Sequence, residues 1–303
     1  MNMQTFIFDK YGYIVEDEYA KEFSYNKWKF KLEANQKDEM ELFELNSFIM
    51  DLDNHLFKRG VRIIENREKR LISDSEFGQL SLVGVNEFNI SFTDLLMMHR
   101  EYQTYASNKP IVFLSSIKEL WINKTDLIES KILPSLKIDN YAFEMINACI
   151  IYSLGLAETA ISYLQDISLD YGDKVEEVTL THKRFNEFNS YELLNPFNLI
   201  IDSPMRDIAD LINIDIVNKD NIEQVLNSYN LSQKSASILL ARVIYPSFLF
   251  DLLEEHYAIK KDIKKELIKY YSSIEERKKK IVFIHNYLTN RYGIRQVNWL
   301  LLK

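Results

Sequence analysis

The stretch Val178-Thr-Leu-Thr-His-Lys-Arg-Phe-Asn-Glu-Phe-Asn-Ser-Tyr-Glu-Leu-Leu-Asn-Pro-Phe-Asn-Leu-Ile-Ile-Asp202 decides how the rest of the chain is read. Two β-like runs, Val178 to Thr181 and Leu199 to Ile201, enclose a polar loop that carries His182, Arg184, Asn189 and Asn195. On both sides the hydrophobic period is helical, over 91–106, 115–133 and 140–168 before it and over 221–229, 232–256 and 260–292 after it. Extended segments set into a helical region make a scaffold for a loop. Loops on rigid scaffolds are where binding and catalysis concentrate, so chemistry is sought here first.

Upstream of residue 91 the pattern is mixed. Glu18 to Tyr25 and Lys27 to Glu33 alternate and are rich in aromatics, which predicts a hairpin turning at Asn26. Asp38 caps a predicted helix whose apolar set runs from Met40 to Phe57 and stops at Gly60. Val61 to Ile64 and Arg70 to Ser73 flank Asn66 as a second predicted hairpin, and Gln79 to Val85 supplies another strand. The expectation is a small ββαβββ region over 1–88 and a large helical region over 89–303 that contains the loop at 178–202.

Composition narrows the function classes. Of 303 residues 47% are hydrophobic and 27% charged, enough to bury a large core and too apolar for a disordered chain. Seven glycines and five prolines are few, which disfavours turn-dense β-sandwiches and flexible linkers. Gly78 and Gly84 are the only glycines closer than ten residues, so neither G-x-G-x-x-G nor a Walker loop is present. The single cysteine, Cys149, excludes an internal disulfide framework and points to a reducing compartment. Met1 to Tyr13 shows no secretory pattern, and the apolar stretches near 148–157 and 238–253 are interrupted by Ser153, Arg242, Pro246 and Asp251. A soluble cytoplasmic protein without membrane insertion is expected. The formal charge of −8 opposes nucleic-acid binding, and the lysines at 260, 261, 264, 265 and 278–280 alternate with acids as on a solvated helix face.

The order of a small mixed lobe followed by a helical lobe resembles the kinase-like phosphotransferases. His182, Asn189 and Asp202 stand at the separations of the H-G-D-x-x-x-x-N and I-D-W blocks of aminoglycoside and choline phosphotransferases. Phosphoryl transfer requires a proton acceptor for the attacking hydroxyl and oxygen ligands that hold magnesium against the phosphates. By this resemblance Asn189 and Asp202 are the metal positions. Two residues after His182, where the catalytic Asp belongs, stands Arg184. A guanidinium has only donors and stays protonated, so it cannot take up the hydroxyl proton. Glu187, on the same loop, is a poor substitute. Lys31 or Lys29 on the second strand is the candidate phosphate contact, with Glu41 or Glu44 as its ion-pair partner; solvated lysines are the simpler alternative.

Asp202 ends an apolar strand, where an unpaired carboxylate is costly, so pairing with Arg184 or Arg206 competes with metal binding there. His182 reads as a loop brace rather than a metal ligand. Asn195 and Asn198 read as turn formers around Pro196, and Asp207 as a helix-start carboxylate. Phe185, Phe188 and Phe197 are expected to pack the loop, Tyr245, Phe248 and Phe250 to lie in the core, and Gly155 to admit a closely packed neighbour.

The runs Gly155-Leu-Ala-Glu-Thr-Ala-Ile-Ser-Tyr-Leu164, Thr181-His-Lys-Arg-Phe185 and Asp202-Ser-Pro-Met-Arg-Asp-Ile-Ala-Asp210 resemble the spore-coat-associated kinase-like proteins of endospore formers, nearest the YutH-like branch. Ser203 and Met205 depart from that branch's D-H-P-S-R-D-I-A block. The resemblance continues through Leu240 to Pro246 and covers most of the chain. It implies an α+β, two-lobed aminoglycoside-phosphotransferase fold, and Mg-ATP as cofactor if the nucleotide site is kept, held through Lys31, Asn189 and Asp202. It further implies coat proteins as partners and a place in the cytoplasm or the spore coat. The expectation is a pseudokinase that acts as a binding or scaffold protein in coat assembly, with an active small-molecule phosphotransferase as the alternative.

Overall fold

A computed structural model describes residues 2–76, 78–105, 111–136, 140–259 and 262–301. The chain forms two compact units, one of residues Met1–Ala106 with Leu180–Ile201, the other of Ser107–Thr179 with Asp202–Lys303.

The first unit opens with a helix that the sequence reading did not anticipate, α1 (Met3–Tyr11), capped by Asn2 and ended by Gly12 at φ 82°. Next come β1 (Glu22–Tyr25), β2 (Trp28–Ala34), α2 (Glu39–Leu56), β3 (Val61–Ile64), β4 (Ser73–Ser75), β5 (Gly78–Asn86) and α3 (Phe92–Tyr105). Asn26 and Lys27, both at positive φ, turn β1 into β2 as a primed hairpin turn requires. The antiparallel sheet runs β1-β2-β5-β3, and β4 also pairs with β5. The second hairpin expected around Asn66 does not form, because β3 and β4 each pair with β5 and not with each other. Asn66 instead closes the connection between them, its side chain donating to Ile72 O at 2.9 Å and Ser73 Oγ at 3.0 Å.

Alternation along β2 sends Phe30 and Leu32 to one face, where they bury against Met3, Phe6 and Ile7 of α1. Gly84, opposite Phe30, leaves room for that ring: an added Cβ would sit 2.8 Å from Phe30 Cε1. Lys29, Lys31 and Glu33 take the other face of β2. Helix α2 begins with a reciprocal cap between Asp38 and Glu41, and it buries Leu42 against Ile63, Leu71 and Ile72.

The second unit is helical: α4 (Leu114–Leu127), α5 (Leu133–Ser135), α6 (Asn140–Tyr171), α8 (Met205–Asn213), α9 (Ile222–Asn227), α10 (Gln233–Ile244), α11 (Ser247–Ile259), α12 (Lys264–Ser272) and α13 (Ile274–Tyr292). The number α7 belongs to Ser190–Leu194 in the first unit. A π-helical stretch, Ile128–Ile132, joins α4 to α5. The short strands β6 (Val112–Phe113) and β7 (Lys174–Val175) pair. Helix α10, buried from Lys234 to Ile244, is the centre on which α6, α8 and α13 pack. Pro246, in the break between α10 and α11, divides what periodicity read as one helix. Tyr245 and Phe250 are buried as expected, but Phe248 is exposed and stacks on Tyr270 at 6.4 Å. Gly155 is also exposed; among the described residues nothing lies within 4 Å of an added Cβ, so none of them packs close against it. Among the described residues no single helix is long and apolar enough to cross a membrane. Lys260 and Lys261 of the basic run lie outside the described residues.

Candidate functional site

Strands β8 (Thr179–His182) and β9 (Leu199–Asp202) pair as a two-stranded ribbon, and the loop between them is folded by its own side chains. Lys183 N–H donates to Asn198 O at 2.6 Å. The Asn198 amide then grips the backbone of Arg184, accepting its N–H at 3.2 Å and donating to its carbonyl at 2.7 Å. Arg184 is half-buried.

His182 is fully buried, and its Nε2 lies 3.0 Å from Leu193 O. A carbonyl only accepts, so Nε2 carries the proton and the ring braces α7 (Ser190–Leu194). Asn189 caps that helix: its Oδ1 accepts Glu192 N–H at 2.9 Å, and its Nδ2 donates to Glu187 at 2.9 Å. Phe185 is buried beside His182, with ring centres 4.2 Å apart.

A polar cluster that sequence reasoning missed ties this loop to β2. Glu33 Oε1 accepts from Tyr191 Oη at 3.1 Å and from Asn195 Nδ2 at 2.9 Å, and Lys31 Nζ lies 3.5 Å from the same oxygen. Lys31 and Lys29 also stand 5.6 and 5.8 Å from the centre of the Tyr191 ring. Burial pushes the Tyr191 hydroxyl far up its scale, and the Glu33 charge pushes it the same way, so it remains a neutral donor. Burial also raises the Glu192 carboxyl, against the pull of Lys31. The expected pairing of Lys31 or Lys29 with α2 gives way to partners on the sheet: Lys31 meets Glu33, and Lys29 meets Glu22 at 3.7 Å. Glu41 is engaged instead in the cap of its own helix, accepting Asp38 N–H at 2.9 Å. Little local in the sequence marks Glu33, since its hydrogen-bond donors Tyr191 and Asn195 lie 158 and 162 positions away.

Asp202 belongs to the second unit and is nearly buried. Its Oδ1 accepts Ser203 N–H at 2.6 Å; its Oδ2 accepts Arg206 Nη1 at 3.0 Å and Arg242 Nη2 at 2.6 Å. Burial alone would raise this carboxyl, but the two guanidiniums and the Ser203 N–H outweigh it and hold the group below the usual carboxylate range. Of the two partners expected, Arg206 is present, and Arg242 from α10 is the second. Arg242 is itself buried, so the pair has a reason to exist without any ligand.

Magnesium requires near-octahedral oxygen ligation from groups free to turn towards it. Asp202 already takes three N–H donors, two of them cationic, and Asn189 Oδ1 caps a helix, so these two residues as arranged do not fit a magnesium ion. Among the described residues no group of three or more His, Cys, Asp or Glu is placed to hold a metal.

Comparison with solved structures agrees with the fold. Spectinomycin phosphotransferase APH(9)-Ia aligns in its AMP-bound complex at 14% identity with a TM-score of 0.51, covering 90% of this chain and 93% of that one. The same enzyme in complex with ADP and spectinomycin aligns at 12% identity, TM-score 0.50, with the same coverage. An aminoglycoside phosphotransferase from Alicyclobacillus acidocaldarius aligns at 8% identity and TM-score 0.49, covering 89% of this chain and 93% of that one. No curated protein sequence matches. The family model described as spore coat putative kinase YutH matches residues 4–286. With its sheet-bearing N-terminal part, its helical C-terminal part and a match over nearly its whole length, the chain is a kinase-like protein of aminoglycoside phosphotransferase-like fold and belongs to the spore coat putative kinase YutH family.

Proposed function

We propose that this chain is a pseudokinase that serves as a binding or scaffold protein in spore coat assembly. The observation that carries the reading is the state of Asp202, whose carboxylate is held by Arg206, Arg242 and the Ser203 N–H in a buried ion cluster. A magnesium ion brought to this oxygen pair would meet two fixed guanidiniums. Displacing them would leave Arg242 buried without its partner, which costs several kcal/mol, on the order of 3–5.

Arg184 supports the same reading. At the position where the resemblance puts the proton acceptor, its guanidinium can neither take up a proton nor accept a hydrogen bond. Loss of a general base alone typically lowers the rate by about 100- to 10,000-fold. Loss of base and metal ligand together removes both parts of the chemistry that the protein, rather than the nucleotide, supplies. Glu187, the remaining carboxylate of the loop, is exposed and accepts from Asn189 Nδ2 at 2.9 Å.

The test is a thermal-shift titration of the full-length protein with ATP, in magnesium and in EDTA, together with an ATP turnover assay. The expected results are equal melting temperatures in the two buffers and no turnover above background. Magnesium-dependent turnover that Asp202→Asn removes while the circular dichroism spectrum is retained would overturn the reading. The coat role is tested separately by extracting purified spores: recovery in the coat fraction is expected, and absence from it removes the scaffold assignment.

A further inference from the structure

Helix α2 buries Leu42 and Ile49 and turns a second apolar stripe to solvent. Met40, Phe43 and Met50 are 67%, 63% and 39% exposed and recur at helical spacing. Exposed Glu44 and Asp51 border the stripe, and the helix carries no lysine or arginine. A contiguous apolar stripe with a charged rim marks an interaction surface.

The complementary surface is on the same chain. Helix α12, in the other compact unit, exposes Ile268 and Tyr271 at 43% and 39% among exposed Lys264, Lys265 and Lys269. Helix α12 itself holds three lysines against one glutamate. One surface is apolar with an acidic rim; the other is apolar with a basic rim.

We propose that the α2 stripe of one copy docks on the α12 surface of a second copy. Two α2 faces brought together would oppose the exposed carboxylates of Glu44 and Asp51 to their own copies, and two α12 faces would oppose lysines to lysines, so like-to-like pairing is disfavoured on both sides. Pairing of unlike surfaces buries Met40, Phe43 and Met50 against Ile268 and Tyr271 and sets carboxylates beside ammonium groups. Each copy then keeps one unused surface of each kind, unless two copies engage reciprocally. Such a contact extends into an assembly or closes by symmetry. The inference goes beyond the pseudokinase reading and does not depend on it, since neither surface includes a residue assigned to phosphate or metal.

Sedimentation velocity of the full-length protein without nucleotide tests it. The average mass is expected to rise with concentration in about 0.05 M salt and to fall back towards the monomer in about 0.5 M salt, where exposed charges are screened. Met40→Glu/Phe43→Glu disables the first surface and Lys264→Glu/Lys265→Glu the second; all four positions are exposed, and circular dichroism checks that each variant folds. Each variant alone is expected to stay monomeric. Mixed one to one they are expected to form a species of twice the monomer mass and nothing larger, since only one contact remains between them. A wild type that stays monomeric at low salt, a variant that associates as the wild type does, or a mixture that remains monomeric overturns the proposal. ATP turnover, if found, would refute the pseudokinase reading and leave this result standing.

Discussion

Tyr191, in the short helix of the loop, donates its hydroxyl to Glu33 on the second strand at 3.1 Å, joining positions 158 residues apart. Asn195 donates to the same oxygen, so one carboxylate anchors the loop at two points. Glu33→Ala would leave a buried hydroxyl and an amide without an acceptor. The expected loss is about 2 kcal/mol, within the range for an unsatisfied buried group, with Glu33→Gln costing about half as much because its amide oxygen still accepts. Urea denaturation followed by tryptophan fluorescence measures both, and a Glu33→Ala midpoint equal to the wild type would refute the anchoring role.

Asp202 predicts a pH response of known sign. Its folded pKa lies below the unfolded value, so around pH 4 the unfolded chain binds more protons and stability rises with pH. The contribution is fully present above the unfolded value of about 3.9 and is lost as pH falls through the folded value. Melting temperature plotted below about pH 5 should therefore fall more steeply for the wild type than for Asp202→Asn. Parallel curves would show that the two arginines do not set this carboxyl. Asp202→Ala at neutral pH is expected to cost about 3–5 kcal/mol by removing the carboxylate that bonds the buried Arg242 guanidinium.

The two glycines Gly84 and Gly155 should respond oppositely to alanine. At Gly84 the new Cβ would fall 2.8 Å from Phe30 Cε1 and 3.3 Å from Ile64 Cδ1, an overpacking expected to cost about 1–3 kcal/mol. At Gly155 the Cβ meets nothing and the site is an exposed helix interior, so Gly155→Ala should stabilise by about 0.5–1 kcal/mol. Thermal melts of the two single variants decide the signs.

Cys149 is buried, and burial pushes its thiol up to about 12. Thiolate is the reactive form, so a water-soluble disulfide reagent at neutral pH should not label it in the native protein. Labelling is expected at the rate of unfolding; immediate labelling of native protein would contradict the burial.

The features legible in the sequence are those made by neighbours in the chain. The Asp38 cap and the Asn26 turn each depend on residues a few positions apart and appear as read. Of the apolar set from Met40 to Phe57, by contrast, Leu42 and Ile49 are buried while Met40, Phe43 and Phe48 face solvent, and Glu41 completes the cap instead of pairing with a strand lysine. Helix α1 escaped notice because only Met3, Phe6 and Ile7 of its nine residues are buried, too weak a pattern beside its aromatic surroundings. The misassigned Asn66 hairpin had the right turn chemistry, but pairing is decided by which strand offers a free edge, and β5 offers it to both β3 and β4. At the site, the spacing of His182, Asn189 and Asp202 was visible, whereas Arg242 lies 40 positions beyond Asp202 with nothing to announce the pairing. Phe248 and Gly155 failed for a related reason: periodicity shows that a helix has faces, not which face another element will cover.

The first compact unit is discontinuous, since it takes in Leu180–Ile201 after more than seventy intervening residues. During synthesis the unit therefore cannot be completed when residue 106 leaves the ribosome, although all strands of its five-stranded sheet have been made by then. Glu33 must wait for Tyr191 and Asn195 to be made, and the second unit begins to collapse in the interval. An N-terminal fragment ending near residue 106 is thus an unfinished object rather than a separable domain, since the β2 and β5 surface that residues 190–195 cover stays bare, and surface of that kind is what chaperones and proteases act upon.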